Sequence, residues 1–161
     1  MTTPRAERIE RVRKALLNAG LHTQIRALQD NTATAAQAAE ALECTVGEIA
    51  KSLMFRRVTD DSPVLAVLSG VNRVAPDKLA KTVGGTVTKA DAAFVKQHSG
   101  FEIGGVPPLG HLTAFPVVFD EKLRRYAVVW AAAGSAYAVF PAAADELAKA
   151  AGAVVADIAE D

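Results

Sequence analysis

Ile49-Ala50-Lys51-Ser52-Leu53-Met54-Phe55, followed by Val64-Leu65-Ala66-Val67-Leu68, is the stretch that decides the fold. Leu53–Val58 and Val64–Leu68 are apolar or β-branched runs on either side of Thr59-Asp60-Asp61-Ser62-Pro63, a five-residue cluster of turn formers. That pattern predicts a β-hairpin. Lys51 interrupts the apolar entry into the first strand. A lysine in such company either snorkels to solvent or points its ammonium into a cleft to meet an anion.

Helical signals flank the hairpin on both sides. Pro4–Ala19 carries Ile9, Val12 and Leu16 at helical spacing, with Pro4 near its start and Gly20 after its end. Leu21–Leu28 alternates loosely and predicts a first strand. Asn31-Thr32 breaks it, and Thr34 or Thr32 then caps an Ala-rich helix to about Leu42. After Gly70 and Asn72, Pro76–Val83 and Asp91–His98 read as short helices, the first with Pro at N1 and Gly84 beyond it. Further strands are expected at Val117–Phe119, Tyr126–Ala131 and Ala136–Phe140. A helix over Ala142–Ala151 and a short strand at Ala153–Val155 close the chain. Helices and strands intersperse without a strict βαβα repeat, which predicts a mixed-sheet α+β fold. No linker or internal repeat divides residues 1–161, so one domain is expected.

Composition narrows the function. Half of the 161 residues are apolar, 22% are charged, and 18 Lys+Arg balance 18 Asp+Glu, which excludes a disordered tail and a strongly basic coat protein. Cys44 is the single cysteine, so an intramolecular disulfide framework and a multi-thiolate metal site are both excluded. In apolar company it reads as a small core residue rather than a nucleophile. His22, His98 and His111 are widely separated and in no metal-ligand spacing, so no metal and no cofactor is expected. There is no apolar signal core and no membrane-length apolar run, which points to the cytoplasm. Residues 51–89 are locally basic, a solvated face or a phosphate-contacting patch.

Walker, GxGxxG, GxSxG and HExxH motifs are all absent. There remains the loop Gly100–His111 with Gly104-Gly105-Val106-Pro107-Pro108 at its centre. Paired glycines let a backbone approach a ligand closely, and paired prolines stiffen the chain beside them. The loop is therefore either a fixed binding wall or a structural turn.

Together these features resemble the YbaK family of aminoacyl-tRNA deacylases, free-standing relatives of the editing domain of bacterial prolyl-tRNA synthetase. The resemblance spans about Leu16 to Ile158 and rests on three stretches. These are the lysine motif Ile49–Phe55, Pro63–Gly70 with Arg73-Val74 and Lys78-Leu79, and Gly100-Phe101 with the Ile103–His111 loop. It implies a mixed sheet closing into a barrel-like core surrounded by helices. It also implies hydrolysis of the ester joining a wrong amino acid to the 3′-terminal adenosine of a tRNA. The family lysine matches Lys51, and the glycine–proline loop matches Gly104, Gly105 and Val106, with Pro107 and Pro108. By the same resemblance Ser69, Gly70, Gly110, His111, Gly134, Ser135 and Tyr137 complete the substrate-binding set. Where many relatives carry Thr-Pro-His, this chain has Ser135-Ala136-Tyr137. The expected partner is the aminoacyl-tRNA 3′ end, with a synthetase as a further one, and neither DNA nor membrane. The alternative is a module that grips the aminoacyl end or a nucleotide-like ligand without turnover, or a partner of a synthetase.

Overall fold

The computed structural model describes residues 3–29 and 34–161. Helix α1, Pro4–Asn18, starts under a Thr3 side chain that accepts from the Ala6 amide, and buries Val12 and Leu16. Helix α2, Ala35–Leu42, opens with a capping box in which Thr34 and Gln37 satisfy each other's backbone amides. Thr34 is thus the cap. The break expected at Asn31-Thr32 lies outside the described residues.

The hairpin forms as expected and extends further at its first strand. Strand β2, Ile49–Arg57, pairs antiparallel with β3, Pro63–Ser69, from Ala50↔Ser69 to Arg56↔Pro63. Val64 through Leu68 are each 0% exposed, so β3 is covered on both faces. Its side chains alternate accordingly: Leu65 and Val67 join the core under α1, whereas Val64 and Ala66 pack with Phe55, Leu79 and Ile158 on the other face. Burying each of the larger side chains contributes roughly 1.5–3 kcal/mol.

The remaining elements complete one mixed sheet. They are β1 (Arg26–Ala27), α3 (Pro76–Val83), β4 (Val87–Lys89), α4 (Ala92–Ser99), β5 (Val117–Asp120), β6 (Val129–Ser135), β7 (Ala138–Ala142), α5 (Ala144–Ala150) and β8 (Val154–Ala156). The strand order is β1-β7-β6-β2-β3-β5-β8, with β4 paired to β2 off that path. The mixed-sheet α+β expectation is met.

Element boundaries shift from the sequence reading in several places, and one strand is new. Only Arg26–Ala27 of the expected first strand forms, because it has a ladder partner only at Val139 and Ala138 of β7. The strand expected at Tyr126 begins at Val129: a 3₁₀ turn, Glu121–Arg125, occupies the preceding chain, and the Tyr126 ring packs against Gly47. Strand β4 was not expected at all, being only three residues long.

The second edge of β2 is what makes room for a site. Its ladder to β6 covers only Ile49 and Ala50, and its ladder to β4 covers only Phe55–Arg57. Between them, among the described residues, Lys51–Leu53 have no strand beside them on that edge.

Candidate active site

A cavity of about 280 Å³ opens at this interruption, floored by Ile49–Leu53 of β2. Gly104 and Val106 approach from the glycine–proline loop, Trp130, Ala132 and Ser135 from β6, and Ala35 and Ala38 from α2. The cavity therefore brings together Lys51, Gly104, Val106 and Ser135 from the sequence-derived set.

Lys51 carries the site's charge. It is half-buried, and its ammonium makes no hydrogen bond or ion pair among the described residues. Burial, and secondarily the neighbouring Arg73 cation, hold its pKa below the ordinary 10.5. Among the described residues no Asp, Glu, His or Cys lines the cavity with it. An ammonium kept from water without a counter-ion is placed to receive an anion. Beside it the Ser52 hydroxyl is buried and has no partner among the described residues.

The loop is held by its own backbone. Gly104 sits at φ 94, a conformation open to glycine. The Gly105 amide donates to the Glu102 carbonyl at 3.0 Å, and the Gly105 carbonyl accepts from the Gly134 amide at 3.0 Å. Of the three amides in Gly104-Gly105-Val106, that of Gly105 is thus already committed. Those of Gly104 and Val106 make no hydrogen bond among the described residues. Gly134, at φ 96, lies in an irregularity of the β6–β7 ladder between Ala132 and Ser135. Such bulges re-aim a side chain, here Ser135.

A second cavity, about 830 Å³, lies across this seam. It takes in Gly105, Gly134 and Tyr137, and shares Ile103 and Ser135 with the first.

The other sequence-derived residues line neither cavity. The Ser69 hydroxyl is fully buried and donates to the Gly47 carbonyl at 2.7 Å. Gly70 permits close packing, since a Cβ there would stand 2.5 Å from the Val46 carbonyl oxygen and 2.8 Å from the Ala35 Cβ. Pro107 and Pro108 are buried, and Gly110 packs on Ala15 of α1. His111 braces the loop: its Nε2 lies 2.7 Å from the Pro107 carbonyl oxygen, and its ring lies 4.6 Å from that of Phe115. Cys44 lies outside both cavities, and burial, then Glu48, pushes its thiol pKa up, away from nucleophilic character.

His111 makes the brace sensitive to acid. Burial lowers its pKa below 6.5, against a smaller opposing effect of the Pro107 hydrogen bond. Below pH 6.5 the unfolded chain takes up a proton that the folded chain resists. The stability from the neutral ring is whole above 6.5 and is lost as pH falls toward the folded pKa. Tm measured from pH 7.5 to 5 is expected to drop more for the wild type than for His111→Gln, whose amide keeps a donor for Pro107. Parallel Tm curves would remove the titration from His111.

Missing from the sequence reading were Ala35, Ala38 and Val139 as cavity walls, together with the whole contribution of α1. No local signal marks these residues, because their position depends on strand pairings far along the chain.

Among the described residues no helix is long and apolar enough to cross a membrane, and no cluster of His, Cys, Asp or Glu could hold a metal. Comparison with known proteins places the chain in a family. The sequence profile of the aminoacyl-tRNA editing domain matches residues 29–150. The uncharacterized protein YwhH of Bacillus subtilis (strain 168) is 35% identical over 107 residues, which are 66% of this chain and 68% of YwhH. A crystal structure described as a candidate trans-editing enzyme for prolyl tRNA synthetase is 40% identical, with a TM-score of 0.90 and full coverage of both chains. The hypothetical protein APE2540 is 29% identical with a TM-score of 0.87, over 93% of this chain and 99% of its own. With a matched profile over three quarters of its length and a full-length structural counterpart, this chain belongs to the aminoacyl-tRNA editing domain family.

Proposed function

We propose that the protein hydrolyses the ester between a small amino acid and the 3′-terminal adenosine of a mischarged tRNA. The observation that carries this reading is the uncompensated Lys51 ammonium in a cavity that also holds Gly104 and Val106. Water attacks the acyl carbon, the carbonyl oxygen takes up the negative charge, and the bond to the ribose oxygen breaks with that oxygen protonated. Free amino acid and tRNA result. The Gly104 and Val106 amides serve as oxyanion donors, and Lys51 holds the phosphate or ester end. Gly105 and Gly134 position the loop against Ser135. The ester is activated already by its neighbouring 2′-hydroxyl, so orientation and charge stabilisation suffice without a protein nucleophile. The activity belongs in the cytoplasm with the charged tRNA.

The acyl side chain falls among Ala35, Ala38, Val106, Ala132 and Val139, which suits a small apolar group. A pocket of this kind separates substrates by roughly 1–3 kcal/mol per methylene, which is why translation needs a second hydrolytic sieve. Val106→Ala is expected to widen the wall and shift kcat/KM about tenfold toward larger acyl groups with little change in kcat for the best substrate. Unaltered ranking of a panel of amino acids would take Val106 out of the wall.

The reading is tested by incubating the protein with a panel of labelled aminoacyl-tRNAs and following amino-acid release. Release from at least one mischarged pair is expected. Tight retention with no release from any pair would instead identify a binding module.

A further inference from the structure

The hydrolytic reading leaves the second cavity, about 830 Å³, without an occupant. One wall is the start of α1, with Arg5 and Arg8, and the opposite wall is the turn between β6 and β7, with Tyr137. The Arg5 guanidinium carbon lies 4.6 Å from the centroid of the Tyr137 ring. Neither arginine forms an ion pair among the described residues. Glu102, the carboxylate on this lining, stands 3.9 Å from the Lys96 ammonium. The groove thus offers two unspent guanidinium forks beside a half-buried aromatic face. Guanidinium with an aromatic platform is the chemistry that holds a phosphodiester and its base.

Continuity with the first cavity gives the groove its meaning. Ile103 and Ser135 line both. Helix α1 is seated directly on the bulge that carries Ser135, since a Cβ on Gly134 would stand 2.9 Å from the Arg8 carbonyl oxygen. A substrate whose acyl end fills the first cavity and leaves past Ser135 enters the space between α1 and Tyr137. We propose that this groove seats the single-stranded RNA next to the acylated nucleoside, with phosphates on Arg5 and Arg8 and a base against Tyr137. The proposal rests on the deacylase reading and adds to it a phosphate-dependent contact that a bare nucleoside ester lacks.

The test compares aminoacyl-tRNA with the 3′-aminoacyl ester of adenosine alone, using wild type, Arg8→Ala and Arg5→Ala/Arg8→Ala. Arg8→Ala leaves the Arg5–Tyr137 contact in place and so controls for a loosened α1. For aminoacyl-tRNA, KM is expected to rise about tenfold in the double variant with kcat kept. The slope of log kcat/KM against log salt should become shallower by about 1.4, at ~0.7 per single-strand phosphate contact. The wild-type-to-variant ratio on the nucleoside ester should stay near one. Equal losses on both substrates with an unchanged salt slope would make the arginines a clamp for α1 and overturn the proposal. Binding of a fluorescent single-stranded RNA hexamer ending in CCA separates the two failures. If no ester is cleaved, the deacylase reading falls; if the hexamer binds wild type and double variant alike, the groove proposal falls.

Discussion

Lys51→Ala is expected to lower deacylation by about 10²-fold or more while leaving the protein as stable as the wild type, or slightly more so. The rate loss follows from the site's charge inventory. Among the described residues Lys51 is the one ionisable side chain lining the cavity, and the loop contributes amides alone, so none of them replaces the ammonium. The stability expectation follows from linkage. Burial and Arg73 depress the folded-state pKa of Lys51 below 10.5, so the folded chain binds the proton less readily than the unfolded chain. Its cost to folding is therefore full at neutral pH and is relieved only as pH rises through the folded pKa toward 10.5. Removing the amine removes that cost. The same depression sets the alkaline limb of the activity: corrected for spontaneous ester hydrolysis, kcat/KM should fall as the ammonium deprotonates, at a pH below that of an ordinary lysine. Lys51→Arg, which stays charged, should flatten that limb. Thermal melts and a discontinuous deacylation assay across pH check all three outcomes. Wild-type turnover by the alanine variant would leave Lys51 a solvated stem on β2.

Much of the fold was legible locally, and the reason is physical. The β2–β3 hairpin announces itself through short-range signals, with Asp60-Asp61-Ser62-Pro63 between apolar runs. Helix ends were equally plain: Asp91 accepts from the Phe94 amide, and Gly84 and Gly100 take the left-handed conformation that closes α3 and α4. Lys51 stood out because charge within an apolar strand entry is costly unless used. The cavity itself was not legible. It exists because β6 leaves β2 after Ala50 and β4 joins only at Phe55, and pairings between distant strands leave no periodic trace in either. His111 shows the converse. A histidine beside a glycine–proline loop has the chemistry of a site residue, yet its hydrogen bond to Pro107 and its stacking on Phe115 place it behind the loop as a brace. The walls supplied by alanines were hidden for a simpler reason, since alanine carries no chemical signal of its own.

Gly105→Ala is expected to lower kcat about 10²-fold, through displacement of the loop rather than loss of a donor. The Gly105 amide is already bonded to Glu102, so it has no hydrogen bond to give an oxyanion. The glycine supplies closeness instead. A Cβ there would stand 2.8 Å from both the Cα and the amide nitrogen of Ser135 and 3.0 Å from its carbonyl carbon, all backbone atoms with no rotamer to turn aside. Loop and bulge must part, which stretches the bond from the Gly134 amide to the Gly105 carbonyl. Gly104 and Val106 then move relative to Lys51 on the other wall. Overpacking of this kind costs roughly 1–3 kcal/mol, or ~2–4 °C of Tm per kcal/mol in a chain of this size, so the variant should still fold at assay temperature. Misplacing catalytic groups by about 1 Å is enough for a 10²-fold loss. The decisive comparison is Gly105→Ala with Gly104→Ala. The second variant strains a backbone at φ 94 and disturbs an unpaired amide, and the first leaves backbone dihedrals free but drives two segments apart. Both should lose kcat, but only Gly105→Ala should regain part of it when the facing position is relieved by Ser135→Gly, whose more pliant backbone lets the bulge yield. A Gly105→Ala enzyme with full kcat and an unshifted Tm would mean that the seam between the loop and β6 does not set the geometry of the site.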